Sequence, residues 1–427
     1  AADGSFLNRL FGNNATVIRG GFGIYYDGAS LPDVQLQQLA APGYNPTPLF
    51  VLPGGTLANP FGPSPFGLPS QKNPFTSNIA DVSAPQSFPF QTIAPNLTTP
   101  YTYQYSLTVE RSFSKNYVFS LSYVSTRGIH LYASEAANPS LGTLLPFGDR
   151  IAPFPAGTTG YPAPTVANAI DRTENPEIPE NFNYLVSAAN SWFNALEAQV
   201  QKRFSNGLLF QVAYTWSKSI DTTDDSRGLI DLLNANAGKA LSADDIPQRL
   251  VISWVYYLPF FKHSEGALAR TLGGLSVSGI ATFASGTPFT VPNPVDSTGT
   301  GGALISNADL GQPFQLLNPE TNNTRAFNTS DFAAVGLTPG FSDFRRGTEG
   351  VNQFFEGNST NQWDFAVSKL TRLWSESTTL ELRCDIFNAF NHTQFRNLDL
   401  NVLDPSFGDY TSTAQSRVLQ LAARIKF

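Results

Sequence analysis

The chain divides into about ten segments in which apolar and polar side chains alternate with a period of two, and the connections between them alternate long, short, long, short. Period two is the mark of a strand whose two faces meet different surroundings. The last segment shows it plainly: Leu419, Leu421, Ala423, Ile425 and Phe427 share one face, and Val418, Gln420, Ala422, Arg424 and Lys426 the other. Upstream, Tyr103 to Phe113 and Tyr117 to Tyr123 flank the turn Ser114-Lys-Asn116. Leu196 to Phe204 and Leu208 to Trp216 flank Asn206-Gly207, a pair that tolerates the positive φ of a type I′ hairpin turn. Leu250 to Tyr256 joins a seventh strand near residues 275–285 through Pro259-Phe-Phe-Lys-His263, and Trp363 to Val367 joins Leu380 to Ile386 through a short turn at residues 372–377. With Thr16 to Tyr26 as the first strand, the remaining connections are all long: residues 27–100, the stretch before Leu196, and residues 218–248, 286–360 and 388–415. A soluble sandwich has no cause to sort its connections by length. An antiparallel transmembrane β-barrel does, with short turns on the periplasmic rim and long loops outside.

Composition agrees with that expectation. Charged residues are 14% of the chain and aromatics 13%, with 34 Phe and 15 Tyr. Aromatic residues near strand ends, such as Tyr101, Tyr103, Trp192, Tyr214, Trp216, Tyr256, Tyr257 and Trp363, suit the girdles of a membrane interface. No apolar run reaches the roughly 18 residues of a membrane-spanning helix. A net charge of −7 with scattered Lys and Arg gives nucleic acid nothing to bind. Cys384 is a lone cysteine, so an intrachain disulfide is excluded. The sequence holds no Met and opens on Ala1-Ala-Asp-Gly-Ser without a signal-peptide pattern, so it is either a processed chain or a fragment, and we expect residues 1–427 to form a single barrel domain.

Four stretches, taken together, resemble the Oar-like TonB-dependent receptors. They are Ile18-Arg-Gly-Gly-Phe-Gly-Ile-Tyr-Tyr-Asp27, Tyr214-Thr-Trp-Ser-Lys-Ser-Ile-Asp221, Asp245-Ile-Pro-Gln-Arg-Leu-Val-Ile-Ser253 and Phe387-Asn-Ala-Phe-Asn-His-Thr-Gln-Phe395. The resemblance implies an outer-membrane barrel of about 22 strands, of which this chain supplies the C-terminal part without the plug and the N-terminal β-sandwich. It further implies that TonB acts only through that missing N-terminal part, and that the solute is large and otherwise unspecified. Other implied partners are outer-membrane lipid, lipopolysaccharide and the barrel-assembly machinery. That machinery would read the terminal strand through Leu421, Ala423, Ile425 and Phe427. A surface interaction or adhesion protein using its Pro-, Gly- and Phe-rich loops is the alternative.

Catalytic and metal patterns are weak. His130, His263 and His392 stand in separate segments without metal-ligand spacing, and a hydrolase built on His392 is a third reading, set below the other two. Asp221, Asp224, Asp225 and Asp231, with Asp244 and Asp245, gather in one loop and make a weak Ca²⁺ candidate, although the spacing is no EF-hand. Gly20 to Gly28 and Gly299 to Gly302 match no nucleotide-binding pattern, and no cofactor is expected. The polar strand faces carry Glu110, Glu197, Arg203, Asp364, Glu381, Arg383, Asp385, Arg424 and Lys426, expected to line the lumen and chiefly to pair with one another.

Overall fold

The structure is a computed structural model. It describes residues 15–27, 90–136, 143–144, 150–151, 182–223, 236, 238–260, 273–294, 308–311, 314–335, 347–373 and 378–427. Ten long strands run β1 (Thr16–Tyr26), β2 (Tyr101–Ser114), β3 (Tyr117–Ala136), β4 (Phe182–Ser205), β5 (Leu208–Asp221), β6 (Gln248–Tyr257), β7 (Leu275–Ala284), β8 (Thr360–Arg372), β9 (Thr379–Phe387) and β10 (Val418–Lys426). Each pairs antiparallel with the next, so the sheet order is the chain order from β1 to β10. Among the described residues β1 pairs only with β2 and β10 only with β9, which leaves two sheet edges.

Register turns the alternation of single strands into two continuous faces. Leu421 lies opposite Cys384, Cys384 opposite Val367, and Val367 opposite Val277. Further round, Ile252 meets Val212, Val212 meets Val200, and Val200 meets Phe119. On the other face Glu381 lies opposite Arg424, Ser278 opposite Val255, and Thr108 opposite both Arg19 and Ser122. One face is therefore apolar across the whole sheet and the other mostly polar. The apolar face is open: Trp216 is 60% exposed, Leu421 80% and Phe427 99%. Apolar surface of that extent costs about 25 cal/mol per Å² in water, which a bilayer removes.

Local details show why the strands turn where they do. Asn206 and Gly207 both adopt positive φ, 50° and 77°, as the Asn-Gly pair predicts. Lys202 Nζ then closes the turn by donating to Ser205 O, Ser205 Oγ and Leu208 O at 2.7–2.8 Å. Gly279 has no side chain because Trp254 crosses it: a Cβ there would stand 2.5 Å from the indole.

Three expectations need correction. Strands β3 and β4 continue well past the expected Tyr123 and begin well before Leu196, over 20 and 24 residues. About ten residues cross a bilayer, so the outer part of this hairpin stands beyond the rim, where alternation no longer marks the strand. The connection over residues 27–100 contains a strand, Phe90–Ile93, which pairs parallel with the start of β4. The connections after β7 and β9, expected only as long loops, carry structure of their own. They fold together around Phe289, Val291, Phe327, Phe332, Phe395, Phe407 and Tyr410, the main buried cluster among the described residues. Short ladders brace this module: Pro288–Phe289 with Phe354–Phe355, Asp309–Leu310 with Phe332–Ala333, and Phe395–Leu398 with Tyr410–Thr413.

Candidate functional site

The site has three parts: the polar strand face and, at the end of the sheet where the long connections leave, the seams that tie the strand ends together and the folded loop module.

On the polar face, Arg19 reaches across from β1 to Glu110 at 3.1 Å. Arg383 and Asp385 pair at 2.8 Å along one strand, and Ser368 Oγ donates to Glu381 Oε1 at 3.2 Å. Asp364 receives the Gln362 amide and the Asn388 backbone N–H. The expected pairing of face charges thus occurs for Glu110, Arg383 and Asp385, the last two within a strand rather than across strands. Glu197, Arg424 and Lys426 take register positions on the same face, while Arg203 falls at the irregularity between Lys202 and Ser205.

Two of the four quoted stretches meet in one seam. Ser219 N–H donates to Asp245 Oδ1 at 2.7 Å, Ser217 N–H to Pro247 O at 2.9 Å, and Ser217 Oγ to Ile246 O at 2.8 Å. Burial pushes the Asp245 carboxyl up, opposed by that backbone bond and by Lys218. A second seam is built by the stretch ending at Phe395. Asn388 and Asn391 take positive φ of 47° and 53°, and the Asn388 side chain accepts His392 N–H and donates to His392 O and Gln415 O. Asn391 Oδ1 accepts Arg417 N–H, and Gln394 bonds both backbone groups of Asn361. These side chains join β8, β9 and β10 where they leave the sheet.

The loop module holds buried acids. Both oxygens of Glu349 accept the Val291 N–H, at 2.9 and 3.0 Å, and burial raises this carboxyl to about 8. Glu356 is raised by burial as well. Beside the module an open cleft of about 540 Å³ is lined by Glu320, Asn323, Phe390, Asn391, His392 and neighbours. Glu320 stands 3.9 Å from His392 Nε2, and Gln394 bonds His392 Nδ1 at 2.9 Å. His392 is thus tied to its neighbours at the base of the last long connection.

The acidic-loop candidates divide. Asp221 is only 6% exposed, while Asp224, Asp225 and Asp231 lie outside the described residues, as does His263. Among the described residues no group of three or more His, Cys, Asp or Glu could hold a metal ion. Leu421, Ala423 and Ile425 stand on the apolar face of the sheet-edge strand β10, and Phe427 follows directly after it. Sequence reasoning missed the loop module, whose phenylalanines follow no period; their density was the signal at hand.

No curated protein matches the chain. Among solved structures it is similar to the outer membrane transporter YddB from Escherichia coli, with 11% identity and a TM-score of 0.49 over 98% of this chain and 39% of that one. The ferric-catecholate import receptor Fiu from E. coli matches with 9% identity and a TM-score of 0.39, over 97% of this chain and 33% of the receptor. The ferripyoverdine receptor of the Pseudomonas aeruginosa outer membrane matches with 14% identity and a TM-score of 0.35, over 78% and 28%. The chain thus spans less than half the length of each of these structures. The outer membrane beta barrel domain matches residues 7–420, nearly the whole two-faced sheet described above, and the chain belongs to that family.

Proposed function

We propose that this chain is the barrel part of an outer-membrane TonB-dependent receptor that moves a large solute across the membrane, with its long connections outside the cell and residue 427 in the periplasm. The observation that carries this reading is the sorting of connections: every long one leaves the sheet at one end, next to a continuous polar face. A polar face enclosed by an apolar one is what a solute path needs. Energy coupling then belongs to parts of the protein that precede this barrel. The edge-strand face of Leu421, Ala423, Ile425 and Phe427 serves insertion, read by the barrel-assembly machinery.

The test is to delete the encoding gene and, separately, TonB in the native host, then follow a panel of solutes in the medium. The expected result is one solute whose uptake or release falls in both strains. A solute that depends on the gene and not on TonB, or none that depends on the gene, would overturn the proposal. A second reading, surface adhesion, draws on the folded loop module with its own core; it predicts that removing the module abolishes attachment and leaves solute traffic unchanged.

A further inference from the structure

Inside the open cleft beside the loop module, a hydrogen-bond donor faces an acceptor across a gap that neither closes, and the fold fixes which is which. The order starts on β8. Asn361 N–H donates to Gln394 Oε1 at 3.2 Å, and Asn361 O accepts Gln394 Nε2 at 3.0 Å, so the two ends of the Gln394 amide are set. The same Nε2 lies 2.9 Å from His392 Nδ1. An amide nitrogen only donates, so Nδ1 accepts and the proton of the neutral imidazole sits on the other ring nitrogen, Nε2. That Nε2 stands 3.9 Å from the Glu320 carboxylate, too far for a direct hydrogen bond. The gap has room for one group that accepts from Nε2–H and donates to Glu320. A hydroxyl does both, whereas an ammonium only donates and a phosphate or carboxylate only accepts.

The rest of the cleft suits a ring that carries several hydroxyls. Phe390 is 66% exposed, and Trp363 and Phe365 brace it from 5.6 and 5.8 Å at interplanar angles of 86° and 85°. An open aromatic ring with a negative face attracts the C–H face of a sugar ring, which is apolar while its rim is polar. Asn323 and Asn391 line the same cleft, each with a φ of 53°. Arg417 N–H occupies Asn391 Oδ1, which leaves the amide nitrogen of Asn391 to donate. Thr324 beside them holds a φ of 71°, an outlier for a β-branched residue and of a kind that clusters at ligand sites. Among the described residues that line the cleft none is Lys or Arg, so an acidic sugar would meet Glu320 without a fixed counter-charge.

We propose that this cleft binds a neutral oligosaccharide, with one sugar ring lying on Phe390 and one of its hydroxyls held between His392 Nε2 and Glu320. Binding here needs neither TonB nor passage through the barrel, so it goes beyond the transport reading and stands or falls separately from it.

The experiment uses the protein extracted from native outer membranes in a detergent without a sugar headgroup. Calorimetry measures binding of cellotetraose, maltotetraose and mannotetraose, with tetragalacturonate and choline as charged comparisons. At least one neutral tetrasaccharide should bind. Glu320→Ala should weaken that binding by about tenfold and Phe390→Leu by about fivefold. Phe390→Trp should retain it, as should Arg396→Gln, an exposed change in the module outside the cleft. Heat-modifiable gel migration verifies folding for each variant, and Glu320, half-exposed, keeps the test available should Phe390→Leu not fold. Absence of binding by all three neutral tetrasaccharides overturns the proposal, and so does binding that survives Glu320→Ala. Tighter binding of tetragalacturonate or choline overturns the assigned ligand class.

Discussion

Glu349 shows how one side chain couples the loop module to pH. It is 2% exposed, and burial lifts its carboxyl from 4.5 to about 8, against the pull of the Val291 N–H. A folded pKa above the unfolded one means that the folded state holds the proton more tightly. The stabilisation is complete below about pH 4.5 and is lost as pH rises through about 8, at roughly 1.4 kcal/mol per pH unit in between. Proteolysis of the module, corrected for the protease's own pH profile, should therefore be faster at pH 9 than at pH 6 by about tenfold or more. Glu349→Gln should flatten that dependence, and a wild-type rate independent of pH would count against it. The acid was not legible in the sequence, because its burial depends on strips of chain 58 residues apart that meet only in the fold.

At the scale of elements, the strand-end seams decide how the sheet is finished. Asn388 combines a positive φ with three side-chain bonds, so alanine there loses the bonds and strains the backbone, while glycine loses only the bonds. We expect Asn388→Ala to cost about 2–4 kcal/mol and Asn388→Gly about 1–3. The measurement is the temperature at which the heat-modifiable band converts, which should fall in the order wild type, Gly, Ala; identical temperatures would remove the seam's role. Strands and tight turns were legible because a bilayer on one side imposes period two, and because Asn206-Gly207 has few other uses. The outer part of the β3–β4 hairpin was not, since beyond the bilayer nothing requires its outward residues to be apolar.

At the scale of the molecule, an apolar face on one side and a polar one on the other place the chain in the bacterial outer membrane, as its family does. Orientation follows from the proposed rim assignment and can be read directly. In a Cys384→Ser background, a membrane-impermeant maleimide should label Thr321→Cys, in the loop module, on intact cells. It should label Lys115→Cys, in the β2–β3 turn, only after the outer membrane is opened. The reverse pattern would invert the barrel and the proposed direction of the loops.

Alternation and connection length determined the strand count, the two faces and the sorting of rims, since each is a local consequence of chain chemistry meeting lipid on one side. The resemblance of four short stretches extended this to a family, and the structure explains three of those stretches: Asp245 and Ser219 hold one seam, Asn388 and Gln394 another. Only the tertiary structure decided that the connections after β7 and β9 share a phenylalanine core, that a glutamate is buried beside it, and that Arg127 and Lys239 converge on Trp192. These join residues far apart in the chain. No local period records which of them will meet, because packing between connections leaves no fixed spacing in the sequence.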